Sequence, residues 1–151
     1  MRQKLLKYIL FLIAVFVTDV IFLFLSMKDY KGGMSSSCLE CSLGEDIFVF
    51  LLIKMGVLAV LLTFLFRVVK RSVYLYGLIL LFLLSTLYYI NYRLFVDRVA
   101  AWSTYSFEET WITIFWDSYR YFPMLMIIYV LLIIYVLLTN KLIKEIESIN
   151  H

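Results

Sequence analysis

The sequence predicts an all-α integral membrane protein, a four-helix bundle with a short interfacial amphipathic helix in its third connection. Of its 151 residues 64% are hydrophobic and 17% are charged. In soluble domains about half of the residues are apolar and about a quarter are charged. Four apolar windows reach the roughly 20 residues that a helix needs to cross a bilayer. The predicted spans are 5–27, 47–66, 73–92 and 121–139, with the interfacial helix at 107–118. The single proline and the lack of linker-like segments predict one domain over residues 1–151.

Lysine and arginine in the connections predict the orientation of the spans, because cytoplasmic loops carry an excess of both. Eight basic residues would share one side: Arg2, Lys4, Lys7, Arg67, Lys70, Arg71, Lys141 and Lys144. Five would share the other: Lys28, Lys31, Arg93, Arg98 and Arg120. We therefore expect both termini in the cytoplasm and a multi-pass protein of the inner (plasma) membrane. The first apolar run exceeds the roughly 7–15 residues of a signal-peptide core, which indicates an uncleaved span.

Two opposite charges interrupt the first two spans. Asp19 lies eight residues before the end of the first window, and Lys54 lies seven residues after the start of the second. In an antiparallel hairpin both would lie about 10–12 Å below the outer boundary of the apolar membrane core. An isolated charge at that depth costs several kcal/mol, so we predict an intramembrane ion pair between them. The pair either fixes helix register or belongs to a proton or ion pathway.

The only two cysteines, Cys38 and Cys41, lie in the connection between these spans. With the predicted orientation they face the exterior or periplasm, where disulfides persist. A local disulfide, a pair of unused thiols and a redox-active C-x-x-C all remain open.

Four spans with a C-x-x-C pair in the first outside loop resemble the quinone-linked, disulfide-generating membrane oxidoreductases of bacteria. The resemblance implies thiol-disulfide exchange by Cys38 and Cys41. That family also carries a second cysteine pair in its second outside loop, and an arginine shortly after the first pair. This sequence has neither, and Gly44, Glu45 and Asp46 follow the pair instead.

The second span carries small residues at helical spacing, Gly56, Ala59 and Thr63. Small side chains let a neighbouring helix approach closely. At 100° per residue this stripe lies about 160° from Lys54, so the helix would present protein-facing surfaces on two sides. We expect it either to be central in the monomer or to be shared with another subunit, in a homo-oligomer or with a membrane protein partner.

The third connection contains a helix-start signal. Ser106 and Glu109 have the spacing of a capping box. The aromatic and aliphatic residues that follow predict one apolar face, on a helix that either lies on the outer leaflet or extends the fourth span outward. The face would float at the bilayer interface or serve as a docking or lipid-sensing surface. Its members are Trp111, Ile112, Phe115, Trp116 and Tyr119. Pro123 permits a bend before the fourth span.

Several kinds of chemistry have no candidate residues in this sequence. The single histidine is the last residue, so no histidine-based metal site or triad is expected, and no cofactor is predicted. The basic residues lie at helix ends and do not form a patch, so nucleic acid is not an expected ligand. Apolar residues in the tail after Asn140 would continue the fourth helix and suit a cytoplasmic protein partner.

These features favour a small non-enzymatic membrane protein that acts through protein-protein contacts. Two versions are an immunity protein against a pore-forming toxin and the membrane component of a defence or signalling pair. Four-span colicin immunity proteins are similar in size, topology and short basic cytoplasmic turn. The alternatives are a thiol-disulfide oxidoreductase or accessory using Cys38 and Cys41, and, third, a small oligomeric transporter or channel.

Overall fold

The structure, a computed structural model, describes residues 2–30, 35–36, 40–68, 72–100 and 105–149. The described chain forms five α-helices, with a 3-10 turn after the first, and contains no strand. The helices are α1 (Arg2–Ser26), α2 (Leu43–Val68), α3 (Ser72–Arg98), α4 (Phe107–Tyr119) and α5 (Phe122–Ile149), and the 3-10 turn is Lys28–Tyr30. Four of them, α1, α2, α3 and α5, are long and apolar enough to cross a membrane. The predicted all-α fold is confirmed, and these helices indicate a membrane protein.

The second helix begins four residues earlier than the predicted span because its first turn is capped. The side chain of Glu45 accepts a hydrogen bond from the backbone N–H of Ser42 at 2.6 Å, and Ser42 Oγ accepts one from the N–H of Glu45 at 3.3 Å. This reciprocal pair satisfies two donors that a helix N-terminus leaves open. A span prediction based on hydropathy starts at the first apolar residues and therefore misses a polar first turn.

The third helix continues to Arg98, which corrects the prediction that the third connection starts at Arg93. Hydropathy falls at Tyr92 because the chain leaves the apolar region, but charged residues do not end a helix that has packing partners. The added turns are held on their inward side, where Leu94, Phe95 and Arg98 are buried.

The fourth helix has the predicted capping box. Ser106 Oγ accepts a hydrogen bond from the N–H of Glu109 at 3.2 Å, and the Glu109 carboxylate accepts one from the N–H of Ser106 at 2.8 Å. The hydrogen bonds from Ser106 to the carboxylate hold the pKa of Glu109 below its ordinary value, so this half of the cap is present at neutral pH and is lost as acid protonates Glu109. The break before α5 is short, and Pro123 lies in the first turn of α5, where a missing N–H costs least.

Replacing Ser106 with alanine is expected to destabilise α4 by about 1 kcal/mol, because the N–H of Glu109 loses its acceptor. The measurement is hydrogen exchange of the α4 amides, which should become faster while the α2 amides are unchanged. Thr113→Ala is the matched control, since Thr113 donates only to the Glu109 carbonyl within the helix. Equal exchange in the two variants would show that the cap does not stabilise α4.

The bundle packs around one apolar core. Helix α1 contacts α2 and α5, α2 contacts α3, and α4 packs against α3, α1 and α5. We call the end of the bundle that carries α4 the α4 end, and the end where α1 begins the termini end. Lys7 Nζ donates to the Thr139 carbonyl at 2.8 Å at the termini end, which joins α1 to α5 there.

Candidate functional site

The structure brings Asp19 of α1 and Lys54 of α2 together in the bundle interior. Lys54 Nζ lies 2.8 Å from Asp19 Oδ2, and the two side chains are 0% and 1% exposed. The two helices run antiparallel as a hairpin, so equal depth places the charges side by side. The contact is a hydrogen-bonded ion pair enclosed by protein.

Two further groups complete this charge network, and neither was predicted from the sequence. The Tyr129 hydroxyl of α5 donates to Asp19 Oδ1, and Lys54 Nζ also donates to the Leu83 carbonyl of α3 at 3.2 Å. Both groups are fully buried. We call Asp19, Lys54, Tyr129 and the Leu83 carbonyl the charge network, and it joins all four long helices.

The contact between Tyr129 and Asp19 could have been predicted from the depth of the two residues in their helices. It lies seven residues after the start of α5, and Asp19 lies seven residues before the end of α1. In a bundle whose neighbouring helices are antiparallel, these positions have the same depth. A tyrosine in the interior of an apolar span needs a hydrogen-bond partner when it is buried, and an acid at matching depth is the natural acceptor.

The surroundings of the charge network are apolar. Its side chains are flanked one helical turn away by buried residues that carry no polar group: Val15, Leu23, Leu51, Leu58, Leu125 and Ile133. The other buried polar side chains of the described residues lie toward the α4 end: Ser26, Ser35, Asn91, Arg98, Thr110 and Ser118. Every buried side chain described between the network and the termini end is apolar. No buried polar side chain of the described residues extends the network on that side, where Tyr8 and Tyr76 are half-buried and line a small cavity. In this sense the network is closed, and its geometry suits the locking of helix register.

A second polar contact lies at the α4 end. Arg98 donates from Nε and Nη2 to Asp46 Oδ2, at 3.0 and 2.5 Å, and from Nη2 to the Cys41 carbonyl at 2.8 Å. The arginine side chain is 1% exposed, and that of Asp46 is 11% exposed. This contact ties the cysteine-containing connection and the start of α2 to the end of α3. The sequence reasoning placed Arg98 in a loop and did not pair it with Asp46.

The same connection is attached at two more points. Asp97 accepts hydrogen bonds from the hydroxyls of Ser35 and Ser36, the latter at 2.6 Å. Tyr30 donates to Asp117 Oδ2 of α4 at 2.7 Å. Burial, together with the neighbouring Asp117 carboxylate, raises the pKa of Tyr30 above its ordinary value, so this phenol keeps its proton and remains a donor.

The cysteine pair itself is only partly described. Cys41 is positioned through its carbonyl group, which accepts from Arg98. Cys38 lies outside the described residues, so the predicted pairing of Cys38 with Cys41 stays a prediction.

The predicted apolar face of α4 is divided in the structure. Trp111 is half-buried and stacks on Tyr92 and Tyr88 of α3, with ring centroids 4.2 and 5.3 Å apart. The rest of the face is exposed: Ile112, Phe115, Trp116 and Tyr119. The face that packs on the bundle is instead Thr110, Ile114 and Ser118. Four of the five predicted residues thus share the outward side of α4 and Trp111 lies at its edge, because two small hydroxyl residues let the opposite side pack closely on the bundle. Whether this face meets lipid or a partner stays a prediction.

The small-residue stripe of α2, which was predicted to be either central in the monomer or shared with another subunit, lies on the outer side of the helix. Gly56 and Thr63 are exposed and Ala59 is half-buried. A Cβ added at Gly56 would meet nothing within 4 Å. Lys54 faces the bundle, so the stripe, on nearly the opposite side of the helix, faces outward.

Comparison with known proteins assigns no relative, since no family model, curated protein or solved structure matches this chain. Within the described ranges no group of three or more histidine, cysteine, aspartate or glutamate residues could hold a metal ion. The function is therefore argued from the geometry of the charge network and of the outer surface.

Proposed function

We propose that this chain is a small non-enzymatic protein of the inner (plasma) membrane that acts through contacts between its helices and another membrane protein. The closed charge network is the observation that carries the proposal. Asp19 and Lys54 neutralise each other, and buried apolar side chains separate them from the termini end. Ion or proton transport needs polar groups in series across the membrane, so this arrangement favours a rigid scaffold over a transporter.

The outer surface supports contact with a partner. Gly56 lies in a shallow depression of the α2 surface that is bordered by Val57, Val60, Leu61 and Phe64, and small residues on such a surface let a second helix approach closely. The partner is a membrane-inserted protein or a second copy of the chain. An immunity protein against a pore-forming toxin and the membrane component of a defence or signalling pair both use contacts of this kind.

A test of the contact surface compares two glycines. Gly56→Leu is expected to abolish the cellular function while leaving expression and detergent stability unchanged, because the residue is exposed and a Cβ added there meets no side chain or other helix within 4 Å. Gly77→Leu on α3 is the matched control, since a Cβ there also meets nothing within 4 Å. The readout is complementation of a strain deleted for the gene, scored by the phenotype of its operon, with protein levels checked by blot. Full complementation by Gly56→Leu would contradict a partner at this face.

The orientation is part of the proposal, with both termini in the cytoplasm and the α4 end outside. The test uses a Cys38→Ser, Cys41→Ser background with one reporter cysteine. A cysteine at Glu40, which is exposed, is expected to react with an impermeant maleimide in intact cells. A cysteine at Lys70 should react only after lysis, and the reverse result would invert the topology.

The second candidate function is thiol-disulfide exchange, and one contact favours it. Arg98 brings a guanidinium group to the Cys41 carbonyl, and a nearby cation promotes thiolate chemistry. Asp46 offsets that charge at 2.5 Å, which is why helix contacts are the leading proposal. The Cys38→Ser, Cys41→Ser variant should keep its function in the complementation assay. A well-expressed but inactive double variant, with an active Gly56→Leu variant, would replace the leading proposal with the redox one.

A further inference from the structure

We propose that the bundle interior binds a buried water molecule at Asn91 of α3, between Ser26 of α1 and Ser118 of α4. The water donates one hydrogen to Asn91 Oδ1 and the other to one of the two serine hydroxyl oxygens. This inference goes beyond the proposed function, because it assigns a ligand site inside the chain and needs no partner protein.

The observation that carries the inference is an unpaired acceptor. Asn91 is 2% exposed, and its Oδ1 is, among the described residues, a buried side-chain atom with no hydrogen-bond partner. Nearly all buried polar atoms in folded proteins are paired with protein groups or with ordered water. A buried carbonyl oxygen without a donor is costly, so a donor is expected at Asn91 Oδ1.

The packed side of α4 lies beside Asn91. Trp111 of α4 stacks on Tyr92 of α3 with ring centroids 4.2 Å apart, and Ser118 borders the same surface cleft as Leu84 of α3. Tyr92 and Leu84 bracket Asn91 along α3, and Leu84 lies within about 20° of Asn91 on the helical wheel. Ser118 is buried on the side of α4 that packs on the bundle. Its hydroxyl group is therefore a neighbour of the Asn91 amide.

Ser26 reaches the same level from α1. Ser26 and Asn91 lie seven and eight residues beyond the members of the charge network on their own helices, a rise of about 10–12 Å toward the α4 end. Four residues further along each chain, the rings of Tyr30 and Phe95 are in contact, with centroids 5.1 Å apart. The two segments thus keep one register between the charge network and this ring contact, and Ser26 and Asn91 occupy matching positions in it.

The hydroxyl groups at this level do not supply the missing donor. Ser26 Oγ donates its hydrogen to the Phe22 carbonyl at 2.7 Å, and Ser118 Oγ donates its hydrogen to the Ile114 carbonyl at 2.5 Å. A serine hydroxyl has one hydrogen and two acceptor lone pairs, so both oxygens still accept. The site therefore offers acceptors only, and its ligand must bring two donors.

Water fits this requirement better than a cation does. A water molecule has two hydrogens to donate, and buried waters typically make about three hydrogen bonds to groups that are otherwise unsatisfied. The three oxygens of the site are neutral, so they would not offset the charge of a buried sodium ion. The level of Asn91 is also that of the outer boundary of the apolar membrane core, where bulk water is close by.

The first test looks for the water in the wild-type chain, purified in detergent micelles. A nuclear Overhauser experiment that selects the water signal should show a cross-peak at the β protons of Asn91, which do not exchange with solvent. The peak should have the sign of a contact within the folded protein, which marks a long-lived water. A spectrum without this peak would overturn the proposal.

The second test counts long-lived waters by oxygen-17 relaxation dispersion. Asn91→Leu keeps a similar volume without the polar groups and should lack one of the waters seen in wild type. Ser85→Ala, which removes an exposed hydroxyl from the same helix, is the matched control and should keep the wild-type count. Ser26→Ala or Ser118→Ala should shorten the residence time of the water. A wild-type count in Asn91→Leu, or no change in either serine variant, would contradict the assigned ligands.

The third test separates water from a bound cation. The wild-type count is measured in sodium chloride and again in choline chloride. An unchanged count supports water as the ligand, and a count that depends on sodium overturns the proposal in favour of a hydrated cation. These measurements need no partner protein, so their outcome is independent of the Gly56→Leu test.

Discussion

Replacing Lys54 with methionine is expected to lower the free energy of unfolding by about 3–5 kcal/mol. Methionine fills a similar volume to lysine, so the loss of stability comes mainly from the buried Asp19 carboxylate, which no longer has a cationic partner. Asp19 is 0% exposed and would keep only the Tyr129 hydroxyl as a donor among the contacts of the charge network. The measurement is denaturant unfolding of the full chain in a mild detergent.

Removing the whole network distinguishes a lost contact from an uncompensated charge. The Asp19→Leu, Lys54→Met, Tyr129→Phe triple variant should be much closer to wild type than Lys54→Met alone, because buried ion pairs are often replaceable by packed apolar groups. Lys28→Met, at an exposed position, should change stability by less than about 0.5 kcal/mol. A Lys54→Met variant as stable as this control would show that the pair does not hold the bundle together.

Arg98→Met is expected to cost about 2–3 kcal/mol, since hydrogen bonds to charged groups are worth about 1.5–3 kcal/mol and Asp46 keeps some access to solvent. The guanidinium donates twice to Asp46 and once to the Cys41 carbonyl. Their loss should also release the connection between α1 and α2. Hydrogen exchange at the first amides of α2 should therefore become faster.

Arg98→Lys is the matched variant for this contact. It keeps the positive charge but cannot make the forked contact of a guanidinium, so its stability should fall between wild type and Arg98→Met. If Arg98→Lys is as unstable as Arg98→Met, forked geometry and not charge carries the stabilisation. If both variants match wild type, the contact does not stabilise the α4 end.

The ion pair was predictable because the bilayer fixes a common depth scale. Counting from the ends of two apolar windows placed Asp19 and Lys54 at one level, and the structure joins them. The depth estimated by this residue count was correct although α2 starts at Leu43 and not at 47. The boundary of the apolar region, and not the end of the helix, sets the depth.

Tyr129 and the pairing of Arg98 were missed for different reasons. Tyr129 stands in an apolar run, where composition cannot tell a buried hydroxyl from one at the lipid interface. Arg98 was assigned to a loop because hydropathy falls after Tyr92, and its partner Asp46 lies in the first turn of α2, outside the predicted span. Pairings between the ends of different helices depend on tertiary packing, which sequence spacing does not encode.

The assignment of exposed helix faces from the sequence has a related limit. Spacing identified the Gly56 stripe but could not tell whether a helix of the same chain covers it, and the structure leaves it open. The residues of α4 were predicted as one face, yet Trp111 turns to α3 while Ile112 points outward. A helical wheel gives angles between side chains and does not say which angle faces the bundle.

The placement of the charge network constrains how the chain enters the membrane during synthesis. Asp19 and Lys54 are 35 residues apart. At a synthesis rate of about 5–20 residues per second, Lys54 is therefore made several seconds after Asp19. A single carboxylate at the middle of a helix opposes insertion by about 2.5–3.5 kcal/mol on translocon scales. The first two helices are the shortest segment in which both charges are satisfied. We therefore expect the hairpin, rather than the individual helix, to be the unit that enters the bilayer, with the hydroxyl of Tyr129 joining it after the last span has been made.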